Sequence, residues 1–334
     1  MKISEDRQKI NLEGIQILRM LLSLWIVLGH CCIIRNKILI ILLKDKYFHV
    51  PIFLIISFYF FYDKLNFRSI NKIKIRFERL LIPYLIYPII IFILNRVFFI
   101  NTDFNIHYRK VKLFHFIKQF IFGHGIHMIF WFQFYLIFLS VFYLIIALIF
   151  KKNYLFIFEL ILIICYLLQY SGIVFQYFIK FRDYAFRHFG SIVEIIPFTV
   201  TGLTLASYSL INKINKIKDK KKVVFVTIII LYFIKKYDII RSCRGFRYPG
   251  VSLNVGGIFI LISFSFISFK NKPKVLNFIK HFTNYTGGIY YLHFVVMNIF
   301  RNKISYINNK TIFGGFIIYI FLQFIIEKNL FLDL

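Results

Sequence analysis

The chain has 334 residues, of which 59% are hydrophobic, 21% aromatic and only 17% charged, with a mean hydropathy of +0.72. Soluble chains average ~25% charged residues, so a soluble globular protein is excluded and the apolar excess needs lipid to face. The formal net charge of +29 sits in short basic segments between apolar runs rather than interleaved with aromatics on a soluble surface, which excludes nucleic acid as the partner.

A spanning helix needs ~20 mostly apolar residues, within a working range of ~17–25. Candidate spans run in chain order through Ile15–Ile34, Phe48–Tyr62, Leu80–Ile100, Ile129–Phe150, Tyr154–Tyr170, Ser191–Ile211, Val223–Tyr237, Gly250–Phe269, Thr286–Phe300 and Thr311–Ile326. The fourth is the cleanest; the second, seventh, ninth and tenth are short and either borrow flanking residues or are partly re-entrant. The expected fold is all-α: a polytopic membrane helix bundle with about ten transmembrane helices. It forms one membrane-embedded domain over residues 1–334, with no appended soluble domain and no cleavable signal peptide. Cys31, Cys32, Cys165 and Cys243 form neither a disulfide framework nor a metal-type spacing.

Orientation follows loop Lys and Arg residues, which favour the cytoplasmic side. The bias is weak in total and clearer in two compact segments, Lys64–Arg79 and Lys213–Lys222, with six basic residues each. Both fall inside when both termini are cytoplasmic, so the expectation is a multi-pass protein of the cell membrane with that orientation.

Ionisable residues inside spans cost at least ~2.5–3.5 kcal/mol each on insertion scales, so those present are informative. They are Arg19 and His30 in the first span, Arg96 in the third, Glu159 in the fifth, Glu194 in the sixth and His293 in the ninth. Arg19 and His30 share one helix face, ~20° apart in azimuth and ~16 Å apart along the axis. The stripe carries a fixed cation towards the inside and a titratable base towards the outside; a snorkelling Arg and an interfacial His also fit it. Before the third span, Arg76 and Arg79 lie at i and i+3, a spacing that suits a phosphate or pyrophosphate and equally a positive-inside anchor. The outer loop 101–127 holds His107, His115, His124 and His127. No carboxylate cluster accompanies them and the spacing fits no structural metal site, so no metal is expected. Loop 238–250 carries Arg241, Arg244 and Arg247, which suit either an anionic glycan or lipid headgroups.

Together these segments resemble the acyltransferase-3 family of membrane O-acyltransferases. Arg19 and His30 match its Arg–ten residues–His signature. Ser57 ends its Phe-x-x-Ser segment, and Arg76–Arg79 with Pro83-Tyr84 match its Arg-x-x-Arg helix. Trp131 lies in its Trp-Phe helix, Pro197 and Gly202 in its Pro-Phe…Gly helix, and His293 ends its late Gly-Ile-Tyr-x-Leu-His segment. One departure is Phe58, where the family usually has Gly. The resemblance implies transfer of an acyl group, usually acetyl, from cytoplasmic acyl-coenzyme A to a sugar hydroxyl of a cell-envelope or exported glycan. It assigns His30 as general base and Arg19 as its catalytic companion on the donor side, and gives Arg76 and Arg79 the donor phosphates. His293, Glu194 and Trp131 are candidates for the acceptor site, and Glu159 could orient a histidine. The rival reading is a glycan or lipid-linked sugar transporter of the same fold without chemistry; it has no need of the Arg76–Arg79 clamp.

Overall fold

The computed structural model describes residues 12–31, 49–65, 70–98, 130–170, 184–215, 219–240, 250–267 and 273–284. Every regular element among them is helical. In order these are α1 (Leu12–Cys31), α2 (His49–Tyr59), α3 (Tyr62–Leu65), α4 (Ile70–Phe98), α5 (Phe130–Phe150), a 3-10 turn (Lys151–Asn153), α6 (Tyr154–Tyr170), α7 (Tyr184–Ser207), α8 (Leu210–Asn215), α9 (Lys220–Ile240), α10 (Gly250–Ser265) and α11 (Pro273–Asn284). Each of the first eight expected spans has its main part on one of these helices; the second and sixth run on into α3 and α8, the ends of the first four and of the eighth lie partly outside the described residues, and the last two lie wholly outside them.

Lys151 takes a left-handed backbone conformation, with φ 42°, and ends α5. Residues 143 and 158 would lie ~22 Å apart on one straight helix. Instead the Tyr143 and Phe158 ring centroids are 4.8 Å apart. The stretch Trp131–Gln169 is therefore a helical hairpin, and it is the described stretch long and apolar enough to cross a membrane. Val141, Ile145 and Leu148 on α5 repeat at helical spacing and point outward, as do Phe156, Leu160, Ile163 and Leu167 on α6. Continuous apolar stripes of this kind are hostile to water and suited to hydrocarbon.

The chain divides into two compact units. The first gathers Met1–Leu22, Lys44–Ile70 and Leu139–Ile279. There α2 packs chiefly on α7 and also on α10, while α7 packs on α6 and α10 on α9. Glycine sets two of these approaches. A Cβ at Gly202 would strike the Ile55 carbonyl oxygen and lie 2.9 Å from the Tyr59 nitrogen, so α7 meets the backbone of α2. A Cβ at Gly14 would likewise strike the Phe264 carbonyl of α10. Small residues at such crossings let helix backbones approach where lipid offers no hydrophobic drive to pack.

Phe58 is fully buried in this unit. Its ring meets Phe61 edge-on at 5.7 Å and Tyr143 at 5.4 Å. Tyr143 in turn pairs its hydroxyl with Thr199 Oγ1 of α7 at 2.6 Å. The aromatic at position 58 is thus a core residue that joins α2, α5 and α7.

The second unit gathers Ser23–Leu43, Asn71–Phe138 and Lys280–Leu334. Its described packing joins α4 to the first turns of α5: Gln133 Nε2 donates to the Leu80 carbonyl at 2.7 Å, and the Tyr84 and Phe134 rings lie 6.4 Å apart. This register differs from the one the span limits imply. Those limits put Leu80 and Ile129 at opposite faces of the bilayer, whereas the Gln133 amide holds Leu80 level with the start of α5. The α4 helix also begins ten residues before the expected span, because nothing in Ile70–Arg79 breaks a helix.

Candidate functional site

The Arg76-Phe-Glu-Arg79 motif lies on continuous helix within α4. Lys74 and Glu78 pair across one turn at 3.7 Å on the exposed side, an ion pair of little energetic weight. The two arginines differ in setting. Arg76 is buried at 8% exposure, while Arg79 is exposed. Burial lowers the Arg76 guanidinium from 12.5 to about 9, which still leaves it charged at neutral pH. A phosphate beside it would meet that charge in a low-dielectric setting, where attraction exceeds that at the surface. Arg79, on the next turn, presents a second cation towards solvent.

The same unit holds Trp131, half-buried on α5, with its ring 6.0 Å from that of Tyr135. Through Gln133 and Leu80 the helix of Trp131 is tied directly to the helix of the arginine pair. Two of the segments singled out in the sequence are thus neighbours.

In the first unit Arg19 is half-buried on α1. His30 lies on the last full turn of the same helix, and its side chain lies outside the described residues, as do His293 and the side chain of Arg96. Loop 101–127 and most of loop 238–250 lie outside them too. Ser57 is half-buried on α2. Glu194 is buried on α7 at 5% exposure. Glu159 accepts a 2.8 Å hydrogen bond from the Tyr208 hydroxyl.

Sequence reasoning that attended only to ionisable residues missed a polar cluster around Pro197. A proline inside a helix has no N–H and leaves the carbonyl four residues earlier without its helical donor. Here that carbonyl belongs to Val193, and Gln169 Nε2 of α6 donates to it at 2.9 Å. One turn on, Asn254 of α10 places its amide nitrogen 2.6 Å from Thr201 Oγ1, 2.6 Å from the Tyr166 hydroxyl and 3.3 Å from the Pro197 carbonyl. Thr199 Oγ1 donates to the Ile196 carbonyl at 2.8 Å. The available signal was an amide within an apolar run: Gln169 at the end of the fifth span and Asn254 inside the eighth. Among the described residues no group of three His, Cys, Asp or Glu side chains gathers as a metal site.

Comparison with known families matches the chain to the family model described as Acyltransferase domain, over residues 12–326. No curated protein and no solved structure matches the chain.

Proposed function

Because the chain belongs to the acyltransferase-3 family, whose members are acyltransferases, we propose that it is a membrane O-acyltransferase. It takes an acyl group, acetyl in the simplest case, from cytoplasmic acyl-coenzyme A and delivers it to a sugar hydroxyl of a cell-surface or exported polysaccharide. The observation that carries this reading is the extent of the match: it runs through Arg19 and His30 near its start and past His293 near its end. A fragmentary likeness would not include all the segments that hold these residues.

The donor has an anionic end and a reactive thioester. Arg76 and Arg79 suit the anionic end, one buried and one exposed on the same helix, with forked donors that phosphates accept. Lys72 and Lys74 add positive field on the exposed side. Arg19, on the helix that carries His30 but ~16 Å from it along the axis, neutralises a donor group deeper in the bundle or orients the pantetheine arm.

His30 acts as general base. A neutral imidazole, with an ordinary pKa of ~6.5, removes the proton of the sugar hydroxyl as its oxygen attacks the thioester carbonyl. The C–O bond forms, the C–S bond breaks, and the proton held by His30 passes to the departing thiolate. The products are an ester and a free thiol. Trp131 offers a flat face on which a sugar ring can stack, and Glu194 and His293 are each a candidate polar contact for the acceptor.

The test uses the full chain in lipid nanodiscs with radiolabelled acetyl-coenzyme A and a cell-envelope glycan extract. Label in the glycan, with stoichiometric release of thiol, is the expected result. Glycan binding without any coenzyme A binding would favour the export reading instead.

A further inference from the structure

α11 is too short to cross a bilayer. Its 12 residues extend ~18 Å, against ~30 Å of hydrocarbon. Val275, Phe278, Ile279 and Phe282 stand at i, i+3, i+4 and i+7 and form one apolar face. Lys274, Asn277 and His281, at i, i+3 and i+7, form the polar face, and Lys280 adds to it.

The protein covers only part of the apolar face. Ile279 and Phe282, in the C-terminal half, are buried, whereas Val275 and Phe278, in the N-terminal half, are 41% and 63% exposed. An apolar face left half open calls for a second apolar medium.

The end of α10 and the start of α9 show which medium is near. Lys220 Nζ lies 5.8 Å from the centroid of the Phe266 ring, a cation–π distance, which joins the first residue of α9 to the residue after α10. Asp219 Oδ1 accepts from the Lys222 N–H at 3.2 Å, and Asp219 Oδ2 pairs with Lys222 Nζ at 3.4 Å. Just beyond, Phe225, Val226, Ile228, Ile229 and Phe233 are exposed. Lys222, Val226, Ile229 and Phe233 stand at i, i+4, i+7 and i+11, so the outward stripe of α9 changes from cation to hydrocarbon within about one turn. A change of this kind marks the headgroup level of a bilayer.

α11 begins near that level. Ile267 and Pro273 are separated by six residue steps, which span at most ~21 Å. That is less than the hydrocarbon thickness, so α11 starts on the Lys220 side of the bilayer.

Charge selects the lipid. The sequence holds no acidic residue between Asp238 and Glu327, while Lys270, Lys272, Lys274 and Lys280 gather within and just before α11. A zwitterionic headgroup brings no net charge to such a cluster; a headgroup with a net negative phosphate does. The α9 stripe needs lipid already, and lipid is the occupant that both elements can share.

We propose that α11 is an interfacial helix that, with the first turn of α9, holds anionic phospholipid at one face of the bundle. Val275 and Phe278 enter the acyl boundary, and Lys220, Lys222 and Lys274 meet the headgroup phosphates. The surface stands apart from the acyl-transfer reading, and no residue in it has a part in bond making.

Two measurements on the full chain in nanodiscs test this. The first places a nitroxide at Phe278→Cys or Asn277→Cys in a background without native cysteines. The label at 278 should relax faster with oxygen, which concentrates in lipid, than with a water-soluble nickel chelate, and the label at 277 should do the reverse. Equal access of the chelate to both positions overturns the proposal. So does a label at 278 shielded from both reagents, which would mean that protein, from this chain or a second copy, covers the face. The second measurement leaves the cysteines in place and decides alone if the cysteine-free chain does not fold. It compares spin-labelled phosphatidylglycerol with spin-labelled phosphatidylcholine at the protein surface. Wild type should favour phosphatidylglycerol at least threefold, and Lys220→Gln/Lys222→Gln/Lys274→Gln should at least halve that preference. No preference in wild type, or one unchanged in the triple variant, overturns the proposal.

Discussion

Gln169 Nε2 donates at 2.9 Å to the carbonyl of Val193, the one carbonyl of α7 that Pro197 deprives of its helical N–H. A side chain on α6 thus completes a hydrogen bond that the α7 backbone cannot make. In hydrocarbon this repair carries weight, because no water can replace it.

Gln169→Leu should lower stability by about 1 kcal/mol, the usual scale for a buried bond in a membrane bundle. The cost should largely vanish when Pro197→Ala is added, because alanine restores the N–H that Val193 needs. A double-mutant cycle read by thermal unfolding in detergent checks this. Equal cost of Gln169→Leu in both backgrounds would contradict it.

Gly202 and Gly257 make a contrasting pair. A Cβ at Gly202 would meet the backbone of α2, at the Ile55 carbonyl and the Tyr59 nitrogen, whereas at Gly257 it would lie 2.7 Å from the mobile tip of Ile55, Cδ1. Gly202→Ala should therefore cost about 1–3 kcal/mol or more, the scale of overpacking with backbone displacement. Gly257→Ala should cost little, since a rotamer change relieves it. Thermal stability and monodispersity on size-exclusion chromatography separate the two.

Coenzyme A binding should follow the charge on Arg76. Burial lowers its pKa to about 9, so the guanidinium stays protonated below that value and loses its proton only above it. Affinity should be flat between pH 6 and 8, then weaken as pH rises through about 9. A bound phosphate favours the charged form, which moves the fall to higher pH. Arg76→Ala should weaken binding at least tenfold and Arg79→Ala less, since an exposed cation is screened. Isothermal titration across pH gives both results.

The Lys151–Asn153 turn should lie on the face opposite the arginine pair, because Gln133 holds Leu80 level with the start of α5; with the donor bound from the cytoplasm, the turn faces outward. In a background without native cysteines, Lys152→Cys should react with an impermeant maleimide in intact cells. Labelling only after cells are opened would put the arginine pair, and with it the proposed donor site, on the outer side.

Much of this architecture was legible in the sequence, for a physical reason. The span Tyr154–Tyr170 coincides with α6, and Ile129–Phe150 differs from α5 by one residue, because uninterrupted apolar runs bounded by Asn, Lys and aromatic residues leave little choice. α4 starts earlier than its span because lysines and arginines are good helix formers even where they are poor membrane residues. α11 was not read at all: its buried residues Ile279, Phe282 and Thr283 form one face of a helix whose other face carries Lys274, Lys280 and His281, so it never makes an apolar run. The level of Leu80 with Gln133 depends on a tertiary amide–carbonyl bond, which no span count contains.

The candidate site was legible in part. The arginine pair was read from its spacing, but that Arg76 is buried while Arg79 is exposed depends on which way α4 is turned. Gln169 and Asn254 are uncharged, and a search for charges inside spans passes over them. Phe58, a departure from the family pattern, is a core residue against Tyr143.

The most direct test of the central claim compares wild type with His30→Ala in nanodiscs, following label from acetyl-coenzyme A into a cell-envelope glycan extract. Loss of a general base predicts a fall in kcat of about 10²–10⁴-fold, with coenzyme A binding unchanged. Transfer at the wild-type rate in His30→Ala would contradict the account.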